Sequence, residues 1–401
     1  MTRQFLRSSL QTADALSWRE EAGYSHEAAA ALGKAYAALG RTRSDPHAYR
    51  RAYAAVIGLQ THRLSLQQRM NVEFVLAQAY ASEGDYPQAK SSAETALEIT
   101  ELLDDSSAQI ELRFLRGSIS QASIRLREAC SDYEIGLSLL RELRRDDRTP
   151  QPVDPEYEID LLIRLAGVTI ELSDYDTGLA SLERAHMLHT VWTPDARTSA
   201  SYIAWLTAQL MRYHGELDEA VTTITSAANL LRDDDSPINK GRVQSLVAET
   251  ALDRVEAGMV AGVTEDREAL LSVAAPSARR ALALAKGIGD STGAHIARLA
   301  LLRIDRLRGV PDNRLPAIEK ALRHARKTDD AALTGRALTA LGDEHIAKGE
   351  REAARVCYRR AWRLLEEHEL LSMAAAPRRA YALLSGTDDG SDDRWLSSQR
   401  V

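Results

Sequence analysis

The segment LGDEHIAKGEREAARVCY (residues 341–358) gathers side chains of the types that most often do chemistry in proteins. Asp343, Glu344 and His345 are consecutive, and Cys357 follows further along the segment. Carboxylates, an imidazole and a thiol can bind a metal ion, exchange protons or act as nucleophiles. The segment is therefore either a reactive site or a set of residues placed there by the architecture.

The sequence lacks the motifs that would turn such residues into a known site. It contains no HExxH, no paired CxxC and no GxSxG. His186 and His189 could place two metal ligands on one helix face, but no third or fourth ligand is near them in the sequence. The segment GIGDSTG (287–293) lacks the Gly-Lys-Ser/Thr ending of a phosphate-binding loop. We expect no enzymatic activity, no metal and no cofactor, although a carboxylate pair for hydrolysis stays open because acids are plentiful.

Composition narrows the class of protein further. The chain of 401 residues is 44% hydrophobic and 27% charged, with a formal net charge of −7. An acidic balance argues against a nucleic-acid-binding surface. Two cysteines, Cys130 and Cys357, form no disulfide framework. The first eighteen residues have no continuous apolar region, and no apolar run is long enough to cross a bilayer, so we expect a cytoplasmic protein.

The reactive-looking segment matches a second segment of the chain. FVLAQAYASEGDYPQAKSSAETAL (74–97) aligns with residues 337–362 when Gly84 is placed on Gly349. Both predict a helix, a short turn and a second helix, with small and bulky residues at the positions that pack the two helices together. In this register His345 and Tyr358 are packing residues. Only Asp343 is expected to face outward from the packing seam.

The same pattern recurs about eight times between residues 26 and 370 and resembles the tetratricopeptide repeat (TPR). The spacing of about 40–49 residues is similar to the longer-helix subclass found in signalling proteins. The sixth copy is expected to be stretched by VTEDREALLSV (263–273) between its helices. Asp105, Asp290 and Asp330 stand just before helices and are expected to cap them.

We therefore predict an all-α fold, an α-α superhelix of about eight helix pairs. Its predicted parts are a capping helix (1–25), a TPR-like solenoid (26–384) and a disordered acidic tail (385–401). Trp395 in that tail is either incidental or part of a short docking motif.

The TPR resemblance implies a concave groove, lined by the first helix of each pair, that binds an extended or helical peptide. The candidate groove residues are Asn71, Phe74, Gln78, Glu111, Phe114, Gln121, Tyr202, Trp205, Gln209, Arg212, Tyr213 and Asp343. Trp205 and Tyr202 could instead pack into the adjacent repeat. Tyr, Trp and Arg are enriched at binding hot spots.

The functional prediction is a non-enzymatic scaffold that binds a protein or peptide ligand. The alternative is a peptide-responsive bacterial regulator that controls a partner protein or transcription, similar to the peptide-pheromone receptors. Because residues 1–25 are too short for a DNA-binding domain, direct contact with nucleic acid is not expected. No membrane partner is expected, and self-association stays open.

Overall fold

The computed structural model describes residues 26–39, 47–59, 64–145, 155–232, 236–263, 266–310 and 313–385. The expected capping helix (1–25) lies outside these residues, as do Trp395 and nearly all of the acidic tail. Within the described residues there are 17 helices and no strand. They are α1 (His26–Leu39), α2 (Ala48–Val56), α3 (Leu66–Glu83), α4 (Tyr86–Leu103), α5 (Ser106–Ala122), α6 (Leu126–Arg145), α7 (Pro155–Glu171), α8 (Tyr175–Trp192), α9 (Arg197–His214), α10 (Leu217–Leu230), α11 (Pro237–Ala261), α12 (Arg267–Ile288), α13 (Ser291–Leu307), α14 (Leu315–Lys327), α15 (Ala331–Ala347), α16 (Arg351–Glu367) and α17 (Leu371–Ser385).

Helices α1 to α16 form eight consecutive pairs, and α17 follows the last pair. Most of the turns inside pairs are short, so the helices of a pair run antiparallel and pack along their lengths. The predicted all-α superhelix of about eight helix pairs is confirmed. The sequence pattern did not single out α17, which packs against α16.

The chain divides into two compact units. Unit 1 comprises Met1–Val168 and Glu183–Thr193, and unit 2 comprises Thr169–Leu182 and Pro194–Val401. In unit 1, a core of buried Leu, Val and Ala side chains from α1, α2, α3 and α4 includes Leu39 and Val75. In unit 2, α11, α12 and α13 bury a separate core that includes Leu252, Leu271 and Ile304.

The turns between paired helices depend on residues with left-handed backbone conformation. Gly84, Gly215, Gly262, Gly309 and Gly349 have φ angles between +71° and +86°. An added Cβ would find open space at each of them. Glycine is favoured at these positions because residues with a Cβ are strained in the left-handed conformation, and not because space is lacking.

The predicted aspartate caps are confirmed. Asp105 accepts a hydrogen bond from the backbone N–H of Ala108 at 3.0 Å. Asp290 accepts one from Gly293 and Asp330 one from Leu333, both at 2.8 Å. Each carboxylate satisfies one of the free N–H groups at a helix start.

The sixth pair differs from the prediction. The stretch REALLSV belongs to α12, which begins at Arg267, so it does not separate the two helices. Leu271 of this stretch is fully buried in the unit 2 core. Burial of this apolar side chain favours a helix that packs on the core over an exposed loop. The pair is long because both helices are long, at 25 and 22 residues.

Candidate functional site

Charged side chains from four successive first helices of unit 2 form one connected set, here called the inner network. Its members are Arg212 on α9, Glu249, Asp253 and Glu256 on α11, Arg303 and Arg306 on α13, and Arg336 and Asp343 on α15. Arg336 pairs with Glu249 although α13 lies between their helices in the chain. Such a contact is possible only where the helices converge, so the inner network lies on the concave side of this unit.

Helix α13 contributes the centre of the inner network. Arg303 Nη2 lies 2.6 Å from Asp253 Oδ1 and 2.6 Å from Glu256 Oε2. Arg306 Nη2 lies 2.9 Å from Glu256 Oε1 and 3.1 Å from Asp343 Oδ2. Each arginine therefore bridges two carboxylates, and Arg303 also holds Glu256 in the two-pronged geometry that a guanidinium favours, with Nε 2.8 Å from Glu256 Oε1.

The inner network extends to both sides of this centre. Arg212 Nε donates to Asp253, and Arg212 Nη1 lies 3.4 Å from Glu249 Oε2. On the other side, Asp343 Oδ1 accepts a hydrogen bond of 2.7 Å from the hydroxyl of Tyr358. The chain of contacts thus runs from α9 to α16 through residues of unit 2 alone.

These groups are partly dehydrated yet still reachable from solvent. The exposed fraction is 18% for the side chain of Arg212, 24% for Arg303 and 25% for Asp253. Burial raises the pKa of Asp253, but Arg212 and Arg303 outweigh it and lower that pKa to about 2. Burial lowers the pKa of Arg212, but Asp253 and Glu249 outweigh it and raise it above its usual value. All three groups are charged at neutral pH.

A second polar cluster of unit 2 joins Glu171, the last residue of α7, to α9 and to α17. Glu171 Oε1 accepts from Gln209 Nε2 at 2.9 Å, and Glu171 Oε2 accepts from Ser372 Oγ at 2.8 Å. Gln209 also donates to the hydroxyl of Tyr213 at 3.3 Å. Burial, and next the charge of Glu171, raise the pKa of Tyr213 to about 12. We call Glu171, Gln209, Tyr213 and Ser372 the Glu171 cluster.

The inner positions follow a simple register. Gln209, Glu256, Arg303 and Asp343 each stand six residues before the left-handed glycine that follows their helix. The repeat pattern in the sequence predicted only the first and last of these four as groove residues. The remaining network members, which it did not predict, are Glu249, Asp253, Arg306 and Arg336. Counting back from the glycine of each turn would have found Glu256 and Arg303.

The other candidates on α9 form part of the packing between helices. The hydroxyl of Tyr202 donates to Asn239 Oδ1 at 2.7 Å, and its ring stacks on Trp205 with centroids 5.6 Å apart. Trp205 also packs against the core cluster that contains Ile224 and Val247. Trp205 is therefore a packing residue as well as a groove candidate, so its removal would not test binding cleanly.

In unit 1, two candidates lie elsewhere than predicted. Asn71 is 7% exposed and Phe74 is 6% exposed, and Phe74 belongs to the core of that unit. Their helix α3 turns this face inward because Phe74 and its neighbour Val75 both bury apolar surface there. Gln78, six residues before Gly84, keeps a partly exposed side chain.

Helix α5 brings its three candidates to Tyr133 and Tyr157. The hydroxyl of Tyr133 donates to Gln121 Oε1 at 3.2 Å, and its ring is 6.0 Å from that of Phe114. The hydroxyl of Tyr157 donates to Glu111 Oε1, whereas Glu111 Oε2 is buried with no hydrogen-bond partner among the described residues. Burial raises the pKa of Glu111 to about 8.

Glu111 should make the stability of unit 1 depend on pH. Its folded-state pKa of about 8 lies above its usual 4.5, so its contribution is complete below pH 4.5 and is lost as the pH rises towards 8. Glu111→Gln should therefore stabilise unit 1 by up to about 4 kcal/mol at pH 8 and by less than about 1 kcal/mol at pH 5. Thermal unfolding of both proteins at the two pH values measures this; an equal gain at pH 5 would contradict it.

The reactive-looking side chains of residues 341–358 are held in separate contacts on α15, the turn and α16. Glu344 is buried beside Arg314 at 3.4 Å, and His345 Nδ1 lies 2.6 Å from Glu350 Oε2. Cys357 is buried, and burial raises the pKa of its thiol, which disfavours the nucleophilic thiolate. In the described part of the chain, no three His, Cys, Asp or Glu side chains are grouped to hold a metal ion. Of this segment, only Asp343 belongs to the inner network.

Comparison with known proteins rests on structure alone. No family model matches the sequence, and no curated protein matches it. A crystal structure of a Rap protein complexed with competence and sporulation factor matches 94% of this chain and 100% of its own, with a TM-score of 0.58 and 12% identity. The Rap conjugation gene regulator of plasmid pLS20, in complex with the Phr* peptide, matches 95% and 92% with a TM-score of 0.52 and 12% identity.

A third match is a signal transduction ATPase with a tetratricopeptide repeat sensor from Pyrococcus horikoshii. It covers 95% of this chain and 53% of its own, with a TM-score of 0.52 and 16% identity. The chain has a TPR fold. The TPR repeats that the sequence pattern indicated are thus confirmed, together with the likeness to peptide-receptor regulators, since two of these neighbours are Rap proteins. No helix in the described part of the TPR chain has the length and apolar character needed to cross a bilayer.

Proposed function

We propose that this TPR chain is a non-enzymatic protein that binds an extended peptide along the inner network of unit 2. The observation that carries the proposal is the convergence of charged side chains from four successive first helices on one concave face. Glu249 is buried, but Arg212, Asp253, Arg303 and Arg336 keep about a fifth to a third of their side-chain surface exposed. A ligand can therefore reach them, and few water molecules have to be displaced when it does.

The inner network suits a peptide because it offers both charge signs and amide groups side by side. The arginines can donate hydrogen bonds to a ligand carboxylate or backbone carbonyl, and the carboxylates can accept hydrogen bonds from ligand N–H groups. Gln209 provides an amide at the edge of the set. One structural neighbour, the pLS20 regulator, is in complex with the Phr* peptide, and another, the Rap protein, is complexed with competence and sporulation factor. The peptide complex supports the same class of ligand here.

A displayed library of random peptides, selected on the purified chain, tests the proposal. Selected peptides should bind with dissociation constants near micromolar, about −8 kcal/mol. Arg336→Ala should weaken that binding at least tenfold, because its side chain is a third exposed in the inner network. The matched control is Arg359→Ala, an exposed arginine on α16 away from the network. Peptides that bind both variants like the wild type would place the site elsewhere.

The alternative function is a peptide-responsive regulator in the cytoplasm that controls a partner protein or transcription. The neighbour from plasmid pLS20 is a conjugation gene regulator, which favours keeping this alternative. Under it, a selected peptide should change the proteolytic susceptibility of unit 2, because ligand binding shifts the population of its conformations. Direct DNA binding is not part of the proposal, and we expect no shift of duplex DNA in a native gel at low salt.

A further inference from the structure

The second helices of the last three pairs carry a concentration of positive charge. Helix α12 has four basic and one acidic residue, α14 has four and one, and α16 has five and three. Of the other second helices, α4 has one basic and three acidic residues and α10 has two acidic and none basic, whereas the short α2 has two basic and no acidic residues. This concentration occurs in a chain whose net charge is −7.

The positive charge is ordered by the repeat. Arg280, Lys320 and Arg360 follow one another at intervals of 40 residues, and all three are exposed. The residue after each of them, Ala281, Ala321 and Ala361, is buried, which fixes the register. Because stacked repeats place equivalent residues one repeat apart, the three cations form a line. We call Arg280, Lys320 and Arg360 the basic row.

The basic row has no internal counter-charge. Within the part of the chain that the structure describes, none of its three members forms an ion pair with a carboxylate. The nearby acids on the same helices are engaged: Glu319 pairs with Arg323, and Glu366 pairs with Arg378. The three cations of the basic row are therefore available to an anion from another molecule or from a distant segment of the same chain.

The surroundings of the row favour carboxylates over nucleic acid. Single strands bind through aromatic platforms on which bases stack. The two aromatic residues of α12, α14 and α16 do not provide such platforms, since Tyr358 is buried and Trp362 lies beneath the guanidinium of Arg378. The excess negative charge of the whole chain also opposes a polyanion. A short acidic peptide segment needs no aromatic platform, and it is repelled less than a polyanion because it carries fewer charges.

An acidic segment of matching length follows the last helix. Asp388, Asp389, Asp392 and Asp393 lie in the sequence DDGSDD, a few residues beyond Ser385, where α17 ends. In extended form the two aspartate pairs are about 14 Å apart. Neighbouring cations of the row stand on second helices separated by one first helix, hence at most about 20 Å apart. One aspartate pair can thus meet each of two neighbouring cations.

We propose that the basic row is a docking surface for an acidic peptide segment, and that residues 388–393 of the same chain occupy it. Helix α17 packs against α16, which carries Arg360, so the segment starts within reach of the row. Tethering raises its local concentration to about the millimolar range, which lets weak exposed ion pairs act together. The contact should be strong at low salt and weak at high salt.

Zero-length carbodiimide cross-linking of the full chain tests the proposal, because it joins a lysine amine to a carboxylate only when the two are in contact. Mass spectrometry should find Lys320 joined to the 388–393 segment within the monomer at 20 mM salt. The double variant Arg280→Glu with Arg360→Glu keeps Lys320 and should lower that yield at least fivefold. The charge-matched control, Arg50→Glu with Arg232→Glu, should leave it unchanged.

A second measurement tests whether the anion bound to the basic row comes from the same chain. A labelled peptide of residues 386–401 should bind a full chain whose four aspartates are changed to Asn at least fivefold more tightly than the wild type, because the internal competitor is gone. Equal binding to both, cross-links found only in dimers, or row-dependent binding of duplex DNA in place of the peptide would each overturn the proposal.

Discussion

Asp253→Ala is expected to destabilise unit 2 by about 2–3 kcal/mol, below the 3–5 typical of a fully buried ion pair. The loss is large because two arginines, Arg212 and Arg303, would keep their charges in a partly dehydrated site without their shared carboxylate. The reduction from the full value reflects the 25% of the Asp253 side chain that stays exposed. Urea unfolding followed by circular dichroism measures the change.

Asp218→Ala is the matched control for this change. Asp218 Oδ1 lies 2.6 Å from Arg254 Nε, a contact as short as those of Asp253, but the Asp218 side chain is 70% exposed. Exposed pairs contribute between about 0 and 1 kcal/mol. If both alanine variants lose the same stability, the inner network contributes no more than a surface ion pair.

The effect of Asp253→Ala should also depend on pH. The folded-state pKa of Asp253, about 2, lies below its usual 3.8. The stability that this carboxylate contributes is therefore present above pH 4 and is lost as the pH falls from about 4 towards 2. The difference between wild type and Asp253→Ala should shrink over this interval and stay constant from pH 5 to pH 8.

Gly342→Ala should destabilise unit 2 by about 2 kcal/mol, whereas Gly33→Ala should stabilise unit 1 by up to about 1 kcal/mol. Both glycines occupy the small position of a first helix, and both lie inside helices. An added Cβ at Gly342 would stand 2.6 Å from Tyr358 Cε1, whereas at Gly33 it meets no atom within 4 Å. Thermal unfolding of the two variants should therefore shift in opposite directions.

The ring of Tyr358 cannot easily move away from a new methyl group, because its hydroxyl is held by Asp343. Gly342→Ala combined with Tyr358→Leu removes both the ring and the clash, so the two changes should be strongly non-additive. Additive losses would mean that the close approach of Gly342 to the ring is not what limits the substitution.

The sequence predicted those features that repeat. Spacing of small and bulky residues gave eight helix pairs, and isolated aspartates gave three helix caps. The helix pairs and the caps are determined by residues close together in the sequence, so each repeat alone is enough to predict them. The same spacing failed for Asn71 and Phe74, because a face of a helix can be buried by neighbours that the pattern does not reveal.

The ion pairs of the inner network could not be predicted in the same way. Arg336 and Glu249 are separated by an intervening helix pair, and their contact depends on how sharply successive pairs curve. Curvature arises from small rotations summed over repeats, which no single repeat encodes. The sequence could nevertheless have predicted that Arg303 is an inner residue. Arg303 stands six positions before Gly309, just as Asp343 stands six positions before Gly349.

The hydrogen bond between Ser372 and Glu171 changes how unit 2 should unfold. A stack whose repeats contact only their neighbours can fray from its free end one helix at a time. Here α17 is tied across 201 residues to Glu171, near the start of unit 2, so releasing α17 also releases a partner at the opposite end of the unit. Slow amide exchange in α17, comparable to that in α11 and α13, is the signature expected of such a closed cooperative unit.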